Sequence, residues 1–146
     1  MARGYPDYFG FSMFPYFGEV LVQDQLLPLP LGPGLFRIYE LNHKGVILGG
    51  KFYLGTPVWP SPVEIIITID GAVVLQERVL DMIEWGPFSV GSSPLNVTVY
   101  NQEDSYTVHE FTREISFGQT FAVDLTIAGV NAITVLGKLV YTLIVT

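Results

Sequence analysis

Val63-Glu64-Ile65-Ile66-Ile67-Thr68-Ile69-Asp70-Gly71-Ala72-Val73-Val74-Leu75 is the stretch whose reading decides the fold. Six of its first seven residues are β-branched, a composition that packs well on a pleated surface and is stiff in a helix. Asp-Gly then separates two apolar runs. That pair is favoured in two-residue type I′ turns, in which both central residues need positive φ. The stretch predicts an antiparallel hairpin.

Working outward from the hairpin, the pattern stays β on both sides. Downstream, Leu75, Val79, Met82 and Ile83 share helical spacing, so Gln76 to Trp85 can close with a short helical turn, ended by Gly86-Pro87. Strands resume at Leu95 to Tyr100, Tyr106 to Phe117, Thr120 to Ile127 and Ile133 to Val145. Turns fall at Asn101 to Ser105, Phe117 to Gln119 and Ala128 to Asn131. Val108 and Phe111 have opposite phases, which predicts a bulge near His109. Upstream, Leu35 to Leu41 and Val46 to Leu54 read as strands around the turn Asn42-His43-Lys44-Gly45. Gly49-Gly50 marks a bulge or a close backbone approach. Thr56 to Pro62, with Pro57, Pro60 and Pro62, reads as a loop anchored by Trp59. About eight strands, short turns and no long helix predict an antiparallel β-sandwich or barrel, most simply a jelly roll.

Residues 1–33 stand apart. Tyr5, Tyr8, Phe9, Phe11, Phe14, Tyr16 and Phe17 place seven aromatics in the first seventeen residues. Pro6, Pro15, Pro28, Pro30 and Pro33 exclude a helix or a central strand, because each fixes φ and lacks a donor. Disordered segments are poor in aromatics. The reading is an extended, stiff, apolar arm with an edge strand at Glu19 to Gln23, leading into a sandwich domain over 34–146. No internal repeat and no second domain is expected.

Composition points the same way. Only 14% of the residues are charged and 49% are hydrophobic, and the mean hydropathy is +0.42. A chain with this little charge has to bury surface against other chains or cover it with uncharged polar residues. The apolar excess is concentrated in the arm, which favours burial against a partner and predicts an oligomer. The net charge of −7 disfavours nucleic acid. No apolar run approaches the roughly 20 residues of a membrane helix. Met1 to Asp7 has one basic residue and no apolar run, so no signal peptide and an intracellular assembly are expected. The absence of cysteine excludes disulfides and thiolate metal sites.

Catalytic patterns are not found. His43 sits in a turn beside Lys44 and His109 in a strand beside Glu110, and both read as surface histidines, because a metal or base site needs several convergent groups. Glu103-Asp104, Asp81 and Glu84 read as solvated charges rather than a glycosidase pair. No nucleophile elbow or phosphate loop is present, and Asn96-Val97-Thr98 is a sequon inside a strand. The chain therefore reads as non-catalytic, without metal or cofactor. Trp59 and Trp85 in loops leave one alternative, a carbohydrate- or receptor-binding module of a virion, although loop tryptophans more often plug a sandwich or an interface.

The arm Gly4-Tyr5-Pro6-Asp7-Tyr8-Phe9-Gly10-Phe11, the segments Lys44-Gly45-Val46-Ile47 and Lys51-Phe52-Tyr53-Leu54, and the hairpin Ile65 to Leu75 together carry a resemblance. The chain resembles the small β-sandwich decoration (auxiliary or cement) proteins of tailed bacteriophage capsids, in particular the trimeric ones of phages that infect thermophilic bacteria. The resemblance is one of pattern, without an invariant motif. It implies a thermostable homotrimer on the outer capsid surface that clamps neighbouring subunits of the major capsid protein with its arms. Its low charge departs from the charge-rich habit of thermophile proteins.

Overall fold

The two apolar runs around Asp70-Gly71 pair as expected, and two sheets grow from them. The computed structural model describes residues 17–26, 34–55, 63–85, 93–127 and 134–144. Among these, the elements in chain order are β1 (Phe17–Leu26), β2 (Gly34–Leu41), β3 (Gly45–Gly55), β4 (Val63–Ile69), β5 (Ala72–Arg78), α1 (Val79–Trp85), β6 (Leu95–Asn101), β7 (Tyr106–Phe111), β8 (Ile115–Phe117), β9 (Phe121–Ile127) and β10 (Thr134–Ile144). The larger sheet has the order β1-β10-β3-β7-β6, with β8 also on β3, and the smaller has β2-β9-β4-β5. All pairs are antiparallel. The chain crosses from one sheet to the other between β1 and β2, β2 and β3, β3 and β4, β5 and β6, β8 and β9, and β9 and β10. This is a sandwich with jelly-roll connectivity.

Alternation fills the space between the sheets. Val63, Ile65 and Ile67 of β4 and Phe121, Val123, Leu125 and Ile127 of β9 face Phe52 and Leu54 of β3 and Val135 and Leu139 of β10 in one buried cluster. Burial of each such side chain contributes roughly 1.5–3 kcal/mol. Helix α1 packs on β4, β5 and β6, with Val79 and Met82 buried, so the helical spacing of these residues is that of a core stripe.

The hairpin turn has the expected geometry: Asp70 and Gly71 have φ of 51° and 84°, and Ile69 stands opposite Ala72. The Asp70 carboxylate also accepts hydrogen bonds from the backbone N–H groups of Gly118, Gln119 and Thr120, the shortest 2.6 Å. The turn is thereby tied to the loop that enters β9. The Gly49-Gly50 expectation holds as well. The β3–β10 register slips between Val140 and Tyr141, leaving Leu48 as the extra residue, and Gly50 has φ of 145°. A Cβ on Gly50 would stand 2.5 Å from the Lys138 carbonyl oxygen.

Three expectations change. Tyr106 to Phe117 is two strands, not one. Thr112 leaves the ladder, its N–H donating to the Pro94 carbonyl and its hydroxyl to that of Ser93. The break lies opposite the irregular middle of β3, whose two ends pair separately with β7 and β8. The bulge near His109 is on the partner strand: Val97 faces His109 and Val99 faces Val108, so Thr98 is extra and β7 alternates regularly. The strand in the arm runs over Phe17–Leu26, longer than Glu19 to Gln23, and is an edge strand as expected. The Thr56 to Pro62 loop, the Gly86-Pro87 stop and the Ala128 to Asn131 turn lie outside the described residues.

Candidate interaction surface

Register decides which side chains reach the outer faces of the two sheets. On the smaller sheet, the outward residues of β2, β9, β4 and β5 are largely polar. Arg37 clasps Asp124 with two hydrogen bonds, Nε to Oδ1 at 2.8 Å and Nη2 to Oδ2 at 3.1 Å, and reaches Glu40 at 3.0 Å. The hydrogen bond to Asp124, above all, raises the Arg37 pKa and keeps the guanidinium charged. Gln76 donates to Glu64 on the same face. Leu35 and Val73, 66% and 56% exposed, stand at opposite corners of this face, with the polar row through Arg37, Asp124 and Gln76 between them.

The larger sheet is different. Val135, Leu54 and Thr107 stand opposite one another and are fully buried, so the next residues along each strand point outward. Those are Leu136, Tyr53, Val108 and Val99, one cross-strand row over β10, β3, β7 and β6. Leu136 is 41% exposed and Val99 42%. Tyr53 lies flat along its strand over Gly55, where a Cβ would come 2.6 Å from its hydroxyl, and stacks on Tyr106 with ring centroids 5.1 Å apart. Glycine at 55 is what lets the ring lie down. On one flank the row is bordered by exposed Lys138, Lys51 and Glu110. The result is a flat apolar and aromatic strip with a charged rim.

The histidine expectation is overturned at one position. His109 is fully buried, stacked on Phe52 at 5.2 Å and hydrogen-bonded through Nε2 to the Thr107 hydroxyl at 2.9 Å. The polar Thr-x-His pair faces inward because the two side chains satisfy each other. Its Nδ1 has no hydrogen-bond partner, and burial pushes its pKa down to about 3. A neutral core histidine follows. Among the described residues no three His, Asp or Glu side chains come together to hold a metal ion.

Of the residues singled out from sequence, Tyr5, Tyr8, Phe9, Phe11, Phe14, Tyr16 and Trp59 lie outside the described residues. Phe17 opens β1, with its backbone opposite Ile144, and Trp85 closes α1. The strip on the larger sheet was not singled out, because alternation alone does not tell which of two faces stays uncovered.

The fold is shared with a bacteriophage capsid chain. A chain of the acidic stable capsid structure of Helicobacter pylori bacteriophage KHP30 superposes with a TM-score of 0.50 at 11% identity, over 88% of this chain and 93% of that one. A chain of the infectious bursal disease virus VP2 subviral particle gives a TM-score of 0.42 at 13% identity, over 88% of this chain and 33% of that one. No family model and no curated protein matches the sequence.

Proposed function

We propose that this chain is a virion structural protein that decorates and stabilises a capsid, binding neighbouring capsid subunits as a homotrimer on the outer face of the shell. The observation that carries this reading is the jelly roll common to this chain and a phage capsid chain along nearly the full length of both. Two features of the sequence support it further: a charge content of only 14%, and the seven aromatics in the first seventeen residues. In this reading the partners are further copies of the chain and the major capsid protein. The chain performs no catalysis, uses no cofactor, and binds neither nucleic acid nor membrane.

The mechanism is mechanical. A two-sheet core gives a rigid body, and the arm adds contacts that must be peeled away before subunits separate. Each Phe or Tyr buried on a neighbour contributes roughly 1.5–3 kcal/mol, less the entropy of ordering the arm. Deletion of residues 2–16 spares β1 and tests the reading. The shortened chain should keep its far-UV circular dichroism and solubility, and its mass by light scattering should drop from three chains to one. If the shortened chain still forms trimers, the arm is not the clamp. If it binds hydrophobic dyes and melts early without any partner, the arm belongs to its own core.

A further inference from the structure

We infer that the strip Leu136–Tyr53–Val108–Val99, with Tyr106 stacked at its edge, is the docking site for the aromatic arm, residues 4–16, of a second copy of this chain. The inference rests on the reading above that the arm is an intermolecular clamp, and adds where it lands.

The strip differs from an ordinary solvated sheet face in three respects. It is a continuous apolar row across four strands, whereas the opposite outer face of the sandwich carries the Arg37–Asp124–Glu40 cluster. Its aromatic part is flattened by Gly55, which removes the one side chain that would hold Tyr53 upright. It is apolar at its centre with Lys51, Lys138 and Glu110 at its border, the anatomy of a contact surface. The arm offers the matching chemistry: Tyr, Phe and Pro residues spaced by glycines, which stack on flat rings and leave the backbone narrow.

Chain length and direction favour a second copy over the arm's own sheet. The arm enters β1 at Phe17, opposite Ile144, while Leu26 at the other end of β1 stands opposite Leu136 in the strip. Eight residues of β10 separate those points, about 27 Å at ~3.4 Å per residue. The strip also extends away from the β1 edge, towards β6. To reach its own strip, the arm would have to reverse at Phe17 and run back along the sheet. Sixteen extended residues span up to about 54 Å, enough to cross to a neighbour without reversal.

The test uses the full chain with Phe11→p-benzoylphenylalanine. Irradiation of a mixture of 15N-labelled and unlabelled protein, followed by mass spectrometry, identifies both the residue struck and the chain it belongs to. Cross-links between differently labelled chains, landing on Leu136, Tyr53, Val108, Val99 or Tyr106, are expected. Cross-links within one chain, or onto the Arg37–Gln76 face, overturn the inference. A second variant, Val99→Glu with Leu136→Glu, alters two exposed positions and should retain the melting temperature while weakening self-association at least tenfold. Unchanged association overturns the inference. Trimers that persist after deletion of 2–16 refute the clamp itself. Loss of trimers with cross-links elsewhere refutes only the docking site.

Discussion

Lowering the pH from 7.5 to 5 should destabilise the protein through His109, and His109→Phe should remove that part of the loss. In the unfolded chain a histidine takes up its proton near pH 6.5. In the folded protein burial holds His109 neutral down to about pH 3. Between these values the unfolded state binds more protons, so stability falls as the pH falls. Each pH unit across that window is worth about 1.4 kcal/mol. The loss reaches roughly 2 kcal/mol at pH 5 and is bounded near 5 kcal/mol at the bottom of the window. That is a large part of the ~5–15 kcal/mol that holds a typical domain together. The cross-strand neighbours of His109 on its own face, Phe52 and Val97, carry no charge that could offset the cost. Phenylalanine keeps the stack on Phe52 and leaves only the Thr107 hydroxyl to find a new partner. Urea unfolding of both proteins at pH 7.5, 6 and 5 gives the difference directly, because every carboxylate contributes equally to both. The variant should gain about 2 kcal/mol on wild type between pH 7.5 and 5. A difference that does not change with pH would refute a neutral, buried His109.

The remaining predictions concern the backbone. Gly71→Val places a β-branched residue at φ of 84° with open space around its Cβ, so the cost is conformational and on the order of 1–3 kcal/mol in urea unfolding. Gly50→Ala meets both a positive φ and the Lys138 carbonyl oxygen, and should lower the melting temperature more than Gly71→Ala, where nothing is in the way. Asp70→Ala removes the acceptor for three backbone N–H groups and should lower the melting temperature. Those hydrogen bonds, that from Thr120 foremost, lower the Asp70 pKa. Its contribution is therefore present above the ordinary carboxylate range and lost as the pH falls through the lowered value, so wild type and variant should converge in acid. Melting curves at pH 7 and below 4 check both the drop and the convergence.

What could be read from sequence was local. The Asp70-Gly71 hairpin, the helical stripe Val79-Met82-Ile83 and the irregularity at Gly49-Gly50 are each specified within a few residues, by turn chemistry, by periodicity or by the lack of a Cβ. What could not be read was set by distant parts of the chain. The Asp70 carboxylate acts on residues 48 to 50 positions away, and Arg37 meets Asp124 across 87. The break between β7 and β8 answers a bulge in β3, which the sequence of 106–117 does not contain. Its place beside Glu110 in a polar-looking strand makes His109 read as exposed, yet the side chains that make its burial tolerable, Thr107 and Phe52, become its neighbours only in the folded sheet. The strip on the larger sheet needed register across four strands before it could be seen at all.

The proposal that this jelly roll decorates a capsid is checked by mixing the purified protein with undecorated capsid shells from the same source and imaging them by electron cryomicroscopy. Added density is expected on the outer surface at a fixed number of trimers per lattice position. Shells without added density, and the protein left in solution at saturating concentration, would contradict it.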